Sequence, residues 1–196
     1  PRSAGAYYQR VRRIAGHTVG IAGFGNIGRA FANRIRGFGP AEIIAYDPYV
    51  PQHTADIYGV RMVALDELLR RSDYLTIHTS ATEETHHLID AQALQKMKSS
   101  AILVNTARGP IVDGEALAEA LATGQIEAAA LDVTEHEPVP SDSPLLALDN
   151  CVVTPHTAGF SPLFLAECAQ SQAENILFAL SGKAPHGLAN PEVIKT

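Results

Sequence analysis

The chain has 196 residues, 46% of them hydrophobic and 18% charged, which is the composition of an α/β domain with a substantial core. Its 15 basic and 21 acidic residues give a net charge of −6, which argues against nucleic-acid binding because phosphate backbones require clustered Lys and Arg. Two cysteines form no disulfide framework and no zinc-site spacing, and no apolar run approaches a membrane span, so a cytoplasmic protein without metal or membrane partner is expected.

Apolar, β-branched runs alternate with helical patterns along the whole chain. This alternation predicts an α/β fold with a doubly wound parallel sheet of about seven strands and helices on both faces. The predicted strands are 18–22, 42–46, 60–63, 74–78, 101–105, 127–132 and 151–154, and the predicted helices are 27–38, 65–71, 91–97, 114–122 and 162–180. Asp66, Asp90 and Asp113 are expected to cap three of these helices, and Ser161 the last one.

Gly23, Gly25 and Gly28 form a G-x-G-x-x-G pattern between the first predicted strand and the first predicted helix. In this context Gly23 permits a tight turn, Gly25 lets a pyrophosphate approach the backbone, and Gly28 lets helix and strand pack closely. Asn26 and Ile27 lie within the same turn and belong to the predicted cofactor-binding set, because phosphates meet free N–H groups at a helix N-terminus. The pattern predicts a Rossmann-type dinucleotide site.

Asp47 ends the second strand nineteen residues after Gly28. A carboxylate at this place accepts hydrogen bonds from the adenosine ribose hydroxyls, although Asp before Pro48 is also a common turn former, and the two roles are compatible. A 2′-phosphate about 4 Å away would be repelled by roughly 4 kcal/mol at an effective dielectric near 20. NAD is therefore expected to be preferred over NADP.

Arg108, Glu137 and His156 each follow one of the last three predicted strands. Ligands bind at the carboxyl ends of the strands in an open parallel sheet. A guanidinium can hold a 2-keto acid through two parallel charge-assisted hydrogen bonds, and a carboxylate favours the protonated form of a nearby imidazole, which can then donate a proton. Taken singly, an Arg-Gly pair usually only turns the chain and a His after Pro is usually structural.

The other histidines carry weaker signals. His17, His53, His86, His87, His136 and His186 are interpreted as solvated loop residues, and His78, which ends a predicted strand near the cofactor site, is an intermediate case.

The chain resembles the D-isomer-specific 2-hydroxyacid dehydrogenases, the family that contains D-3-phosphoglycerate, D-lactate and glycerate dehydrogenases. The matching pieces span nearly the whole chain and are the glycine loop, Asp47, and residues 78–85, 105–113, 132–138 and 155–159. The resemblance implies that Arg108 binds the substrate carboxylate and carbonyl, that His156 is the general acid/base, and that Glu137 pairs with His156.

The resemblance also implies further contacts to NAD. The predicted set comprises Thr79, Ser80, Thr85, Thr106, Ala107, Arg108, Asp132, His156 and Ala158. Asp132 is expected against the nicotinamide carboxamide, with Thr106 and Ala107 lining the same ring. The family usually has Pro two residues after His78, whereas Thr79-Ser80-Ala81 follow here, so a less rigid loop with uncertain cofactor contacts is expected.

The family builds its substrate domain from segments before and after the cofactor domain. By this resemblance residues 1–15 are a connecting helix, 16–160 the NAD-binding Rossmann domain, and 161–196 a returning helix with the start of a C-terminal tail. This chain alone is expected to bind NAD but to turn over small 2-hydroxy or 2-keto acids poorly, because the second wall that excludes water is missing. A homodimer is the family expectation.

Two alternatives stay open at this point. An NAD(H)-sensing transcriptional corepressor of the C-terminal-binding-protein type resembles the same family, and the Arg, Glu and His do not exclude it. The second alternative is another nicotinamide enzyme, such as an L-specific dehydrogenase or a formate dehydrogenase. Formate dehydrogenases normally have Gln where Glu137 stands, so Glu137 favours hydroxy-acid chemistry.

Overall fold

The structure is a computed structural model that describes residues 11–193. Its strands are β1 (Thr18–Ala22), β2 (Glu42–Tyr46), β3 (Arg61–Met62), β4 (Tyr74–Ile77), β5 (Ile102–Asn105), β6 (Ala128–Leu131) and β7 (Cys151–Val153). Its α-helices are α1 (Asn26–Ile35), α2 (Gln52–Asp56), α3 (Leu65–Arg71), α4 (Ala91–Lys96), α5 (Gly114–Ala122) and α6 (Pro162–Leu180). The described residues form two compact units, one ending at His156 and the other beginning at Thr157.

The seven strands form one sheet in the order β3-β2-β1-β4-β5-β6-β7, and every neighbouring pair is parallel. The predicted doubly wound α/β fold is confirmed. The strand order reverses between β1 and β4, and in such sheets ligands bind outside the carboxyl ends of the strands at this point. The glycine loop directly follows β1 and therefore lies at the reversal.

Side chains of β1 alternate between two apolar clusters, one on each face of the sheet. Ile21 packs in the cluster that contains Ile35 of α1. Ala22 packs in the other cluster, with Leu68 of α3 and Leu117 of α5. Helices thus cover both faces, which leaves the strand ends as the place where polar side chains can meet a ligand.

Most predicted limits differ from the structure by at most one residue, and the two larger differences concern helices. Helix α1 ends at Ile35 and continues as a 3-10 helix over Arg36–Phe38, followed by Gly39 at φ 68°. Helix α2 was not predicted, because five residues after Pro51 are too few to show an apolar period.

Two of the three predicted aspartate caps are confirmed. The Asp90 carboxylate accepts a hydrogen bond from the third residue of its helix, and the Asp113 carboxylate accepts two from the first turn of α5. The prediction for Asp66 is wrong, because Asp66 is the second residue of α3 and not the residue before it. Its carboxylate instead pairs with Arg70 one turn later and with Lys96 on α4.

Helix α6 belongs to the second unit and begins as predicted. Ser161 caps it, with Oγ accepting from the Phe164 N–H at 3.0 Å, and Pro162 is its first residue. No residue of α6 is buried. Its exposed large apolar side chains are Leu163, Phe164, Leu165, Ile176, Leu177 and Leu180.

The predicted connecting helix falls mainly on residues 1–10, which lie outside the described residues, and residues 11–15 are not helical. Among the helices of residues 11–193, none combines the length and the hydropathy that a membrane crossing requires.

Candidate active site

Each of the three positions in the loop after β1 holds a glycine for a different structural reason. Gly23 has φ 92°, and a Cβ there would lie 2.5 Å from the Thr79 nitrogen. A Cβ on Gly28 would lie 2.3 Å from the Gly23 carbonyl oxygen, whereas a Cβ on Gly25 would meet nothing within 4 Å. Gly23 and Gly28 are therefore required by the fold itself, and Gly25 leaves open space beside the backbone.

The N-terminus of α1 faces this open space without a side-chain cap. Gly25 is the N-cap residue, it makes no side-chain hydrogen bond, and the first turn contains no acidic residue. Asn26 and Ile27 are both exposed. Unpaired N–H groups at the positive end of a helix bind phosphate, and the space above Gly25 admits one, so the loop fits a dinucleotide pyrophosphate.

Asp47 occupies the end of β2 and ties it to the glycine loop. Its Oδ2 accepts a hydrogen bond from the Phe24 N–H at 2.9 Å, and its Oδ1 accepts one from the Tyr49 N–H at 3.0 Å. The bond from Tyr49 confirms the turn-forming role that the sequence predicted, whereas the bond from Phe24 was not predicted. The ribose contact stays a prediction. Each carboxylate oxygen can accept more than one hydrogen bond, so both oxygens can still receive ribose hydroxyls.

A cleft of about 670 Å³ lies between the glycine loop, the end of β2 and the loop after β4. Its lining contains three carboxylates, Asp47, Glu83 and Glu84, and no Lys or Arg among the described residues. The Tyr49 hydroxyl donates to Glu84 Oε2 at 2.6 Å at the surface of this cleft. The volume suits a cofactor-sized ligand, and the acidic lining favours ribose hydroxyls over a 2′-phosphate.

Hydroxyl hydrogen bonds fix the loop after β4, where the family usually has Pro. The Thr85 Oγ1 donates to the Ser80 carbonyl at 2.7 Å and accepts from the Thr82 N–H at 2.8 Å. Thr79, Ser80 and Thr85 all line the cleft, and their contact with NAD stays a prediction. Because the Thr85 hydroxyl is engaged within the loop, Thr85 shapes the wall of the cleft and is not a free donor to a ligand.

His78 closes the inner wall of the same cleft. Its ring lies 5.2 Å from the Phe31 ring, and its Nε2 is 3.1 Å from the Thr76 hydroxyl. Burial lowers the pKa of His78 from 6.5 to about 4. The side chain is therefore neutral at pH 7 and contributes no positive charge to the cleft.

Glu137 and His156 form a direct pair. The His156 Nδ1 lies 2.8 Å from Glu137 Oε2, and Glu137 Oε1 accepts from the Thr134 N–H at 3.2 Å. The hydrogen bond from His156 holds the pKa of Glu137 below its ordinary value, so Glu137 is an ionised acceptor. Nδ1 therefore carries a hydrogen, and Nε2 is the ring nitrogen left to face a ligand.

The backbone of His156 adopts an unusual conformation that the end of β6 holds in place. His156 has φ 55°, which is uncommon for a non-glycine residue and typical of functional sites. Its N–H donates to the carbonyl oxygens of Asp132 at 2.9 Å and Thr154 at 3.0 Å. The Thr154 hydroxyl also donates to Asp132 Oδ1 at 2.5 Å, so buried Asp132 anchors the loop that carries His156.

Arg108 lies in the loop after β5 and presents an exposed side chain. Buried Asn105 holds this loop by donating to the Arg108 carbonyl at 2.9 Å and accepting from the Ala107 N–H at 3.0 Å. The Arg108 Nη1 donates to the Ala107 carbonyl at 2.6 Å. The sequence analysis missed Asn105, although a polar amide that ends an otherwise apolar strand is a recognisable signal.

The loops that carry Arg108 and Glu137 are in direct contact. A Cβ on Gly109 would lie 2.0 Å from the Thr134 carbonyl oxygen, so the two backbones meet there without intervening side chains. Strands β5, β6 and β7 are neighbours at spacings of about 4.8 Å, so the three loops start within about 10 Å of one another. Within residues 11–193, no hydrogen bond or ion pair joins Arg108 to Glu137 or His156.

The remaining predicted cofactor residues lie in the loop after β5 and in the second unit. Thr106 is exposed and Ala107 half-buried in the loop after β5. Ala158 belongs to the second unit, and its contact with a cofactor stays a prediction.

Comparison with known proteins identifies the family. Residues 4–158 match the model of the D-isomer specific 2-hydroxyacid dehydrogenase, NAD binding domain. The chain is 44% identical over 182 residues to a glyoxylate reductase of Korarchaeum cryptofilum, covering 93% of this chain and 54% of that protein. It is 43% identical over 180 residues to glyoxylate/hydroxypyruvate reductase B of Yersinia pestis, covering 91% and 55%. The chain thus spans about half the length of the curated relatives it matches.

Comparison with solved structures leads to the same family. The D-lactate dehydrogenase of Lactobacillus jensenii, determined with NAD⁺, superposes with a TM-score of 0.82 at 30% identity over 89% of this chain and 56% of that chain. These comparisons name dehydrogenases and reductases and give no support to the corepressor alternative. The chain belongs to the D-isomer specific 2-hydroxyacid dehydrogenase family, in which it corresponds to the NAD-binding domain.

Proposed function

We propose that the protein is an NAD-dependent oxidoreductase that interconverts a D-2-hydroxy acid and its 2-keto acid. The observation that carries this proposal is the 2.8 Å hydrogen bond between His156 and Glu137 at the carboxyl ends of adjacent strands. An imidazole held by an ionised carboxylate is suited to exchange a proton with a substrate oxygen. The matched family model is an NAD binding domain, so NAD is the cofactor that fits this chemistry.

In the proposed reaction, bound NADH supplies the hydride that reduces the keto carbon. Glu137 holds Nδ1 of His156 through its hydrogen bond, and His156 donates a proton from Nε2 to the keto oxygen. The exposed guanidinium of Arg108 binds the substrate carboxylate through parallel hydrogen bonds. In the reverse direction, neutral His156 accepts the proton of the hydroxyl group.

The proposed cofactor site follows the cleft. Gly23, Gly25, Asn26 and Ile27 meet the pyrophosphate, and buried Gly28 lets the helix pack close enough to the strand to form this turn. Asp47 accepts from the adenosine ribose, and Thr79, Ser80 and Thr85 form a wall. The nicotinamide is surrounded by Thr106, Ala107, Asp132 and Ala158. Arg108 and His156 complete the site on the substrate side. The open backbone at Gly25 and the carboxylate at Asp47 are the structural support for this assignment.

The proposed substrate is a small 2-keto acid such as glyoxylate or hydroxypyruvate. The relative at 44% identity carries glyoxylate in its name, and the relative at 43% identity carries both substrates. A D-3-phosphoglycerate-like substrate is the larger alternative that the family offers, and a panel of keto acids distinguishes the two.

We also propose the domain arrangement that the family resemblance implies. In it residues 16–160 bind NAD, residues 1–15 and 161–196 lead to a substrate domain, and the protein is a homodimer. The exposed apolar side chains of α6, which has no buried residue, support a further contact of that helix with protein surface. Two free cysteines support a cytoplasmic location.

The experiment is a steady-state assay of the full-length protein with NADH and a panel of 2-keto acids, comparing wild type with His156→Ala. Loss of the proton donor is expected to lower kcat by about 10²- to 10⁴-fold, while the Kd for NADH stays within about threefold. His136→Ala, an exposed histidine in the neighbouring loop, is the matched control. Equal losses of kcat and NADH affinity would show that His156 only binds cofactor.

A further inference from the structure

His87 lies at the meeting point of three loops, although its sequence suggested a solvated histidine. Its backbone has φ 50°, and its N–H donates to the Pro110 carbonyl at 2.9 Å, in the loop after β5. Its Nε2 lies 2.6 Å from Glu135 Oε1, in the loop after β6. His87 itself belongs to the loop after β4, so one residue joins the loops that follow three neighbouring strands.

The contact between His87 and Glu135 is an ion pair. The hydrogen bond to Glu135 raises the pKa of His87, and Asp113, 3.7 Å from Nδ1, acts in the same direction. Partial burial alone would raise the pKa of Glu135, but hydrogen bonds from His87 and from the Gly114 N–H lower it on balance. Both side chains are about 30% exposed, so solvent screens the pair less than it screens a fully exposed one.

The backbone and two further hydrogen bonds connect this pair to the proposed acid/base residues. Glu135 follows Thr134, whose backbone N–H donates to Glu137 Oε1 at 3.2 Å. Glu137 in turn binds His156 at 2.8 Å. The Thr134 backbone is also in close contact with Gly109, so we expect a displacement of Glu135 to move the segment that carries Glu137.

The other end of the network reaches the cofactor cleft. Thr85 and Leu88, on either side of His87, both line the 670 Å³ cleft. The His87 backbone also holds Pro110, two residues after Arg108. His87 therefore lies between the wall of the cofactor cleft and the loops that carry Arg108 and Glu137.

We propose that His87 and Glu135 are positioning residues, whose ion pair fixes the loop of Glu137 and thereby the alignment of His156 with the cofactor cleft. This inference rests on the proposed function. Neither residue touches the reacting atoms, so their removal acts on catalysis through Glu137.

Nearby His86 does not turn this cluster into a metal site. Ligand atoms of His86, His87 and Glu135 lie within 4.8 Å of one another. The two imidazole rings, however, are stacked at 4.0 Å with only 24° between their planes. Nearly parallel rings direct their lone pairs side by side, whereas a metal needs lone pairs that converge on one point. His86 is instead a matched control for its neighbour.

The test uses His87→Asn in the full-length protein, with His86→Asn as control. Asn tolerates a left-handed backbone and is too short to reach Glu135, so the variant removes the ion pair without backbone strain. Misalignment is expected to lower kcat about tenfold while the Kd for NADH changes less than about threefold. The NMR signal of the His156 ring, with ¹³C-labelled histidine, is expected to shift in His87→Asn and to stay in place in His86→Asn.

Glu135 variants keep the inference falsifiable if one substitution affects folding. Glu135→Ala should lose at least as much kcat as His87→Asn, because it removes the bond to His87 and also the bond from the Gly114 N–H. The double variant should lose no more than Glu135→Ala, because both single variants remove the bond between His87 and Glu135. Glu135→Gln retains an oxygen that accepts from His87 or Gly114 and should recover part of the loss.

An unchanged kcat and an unmoved His156 signal in His87→Asn would overturn the inference, as would multiplicative losses in the double variant. If wild type reduces no 2-keto acid while the His156 signal still shifts, the proposed function fails and the coupling stands.

Discussion

His156 Nδ1 and Glu137 Oε2 are 2.8 Å apart, and this hydrogen bond joins the loop after β7 to the loop after β6. It lowers the pKa of Glu137, so the carboxylate stays charged to a lower pH than an isolated glutamate does. The folding stability that this hydrogen bond contributes through Glu137 is fully present above the ordinary glutamate pKa and is lost as the pH falls through the lowered value. The hydrogen-bonded pair is therefore weakened when the pH is low enough to protonate Glu137.

Glu137→Gln should retain the hydrogen bond but lose the charge. We expect kcat to fall about tenfold to hundredfold at neutral pH, because an amide does not stabilise the charged imidazole. The acid limb of the pH profile of kcat/KM that comes from Glu137 should also disappear, which stopped-flow or steady-state assays over acid to neutral pH will measure. Glu115→Gln, at the exposed start of α5, serves as control. A variant with wild-type kcat and an unchanged profile contradicts the assigned pairing.

Substitutions at Gly25 and Gly28 should separate cofactor binding from folding. Gly25→Ala places a methyl group in open space and should leave the melting temperature within about 2 °C, yet weaken NAD binding at least about tenfold by blocking the pyrophosphate. Gly28→Ala drives a methyl group to 2.3 Å from the Gly23 carbonyl and should destabilise the fold by about 1–3 kcal/mol. Calorimetry and titration with NAD measure both. Equal effects on stability would mean that Gly25 is also a packing residue.

The features that sequence predicted well are those encoded locally. All seven strands were predicted, because the central strands are continuous apolar runs and the short, less buried β3 lies between Val60 and Val63. The glycine pattern was predicted from its spacing. The pairing of Glu137 with His156 came from the family resemblance, and the adjacency of β6 and β7 explains it.

The features that sequence missed depend on partners far along the chain. Asp66 looks like a helix cap, but Lys96 from another helix is its partner. In the sequence His87 is a loop histidine like the others, and only the fold brings Glu135, 48 residues later, into contact with it. Asn105 is the exception, because it binds the Arg108 carbonyl only three residues later, and a polar amide at the end of an apolar strand is a local signal.

Asp47→Asn should weaken the preference for NAD over NADP. The amide removes the charge that repels a 2′-phosphate by up to about 4 kcal/mol, but Glu83 and Glu84 remain in the cleft. We therefore expect the ratio of kcat/KM for NAD to that for NADP to fall about tenfold to hundredfold, and not to invert. Asn is chosen over Ala because its oxygen can still accept the Phe24 N–H, whereas Ala leaves that donor unpaired.

The matched control for Asp47→Asn is Asp142→Asn, an exposed aspartate in the loop after β6. It removes the same net charge without touching the cleft. Should both variants alter the cofactor ratio equally, the preference would come from overall charge and not from Asp47.

His78 should make the fold less stable in mild acid. Its pKa is lowered to about 4 in the folded chain, against 6.5 when unfolded, so between these values the unfolded chain binds more protons. Stability is therefore constant above about pH 6.5 and decreases as the pH falls toward 4, by about 2 kcal/mol between pH 7.5 and pH 5 from this residue. His78→Gln should remove this part of the pH dependence in urea unfolding, and exposed His53→Gln should retain it. The same slope in both variants would mean that other groups, and not the buried His78, cause the loss in acid.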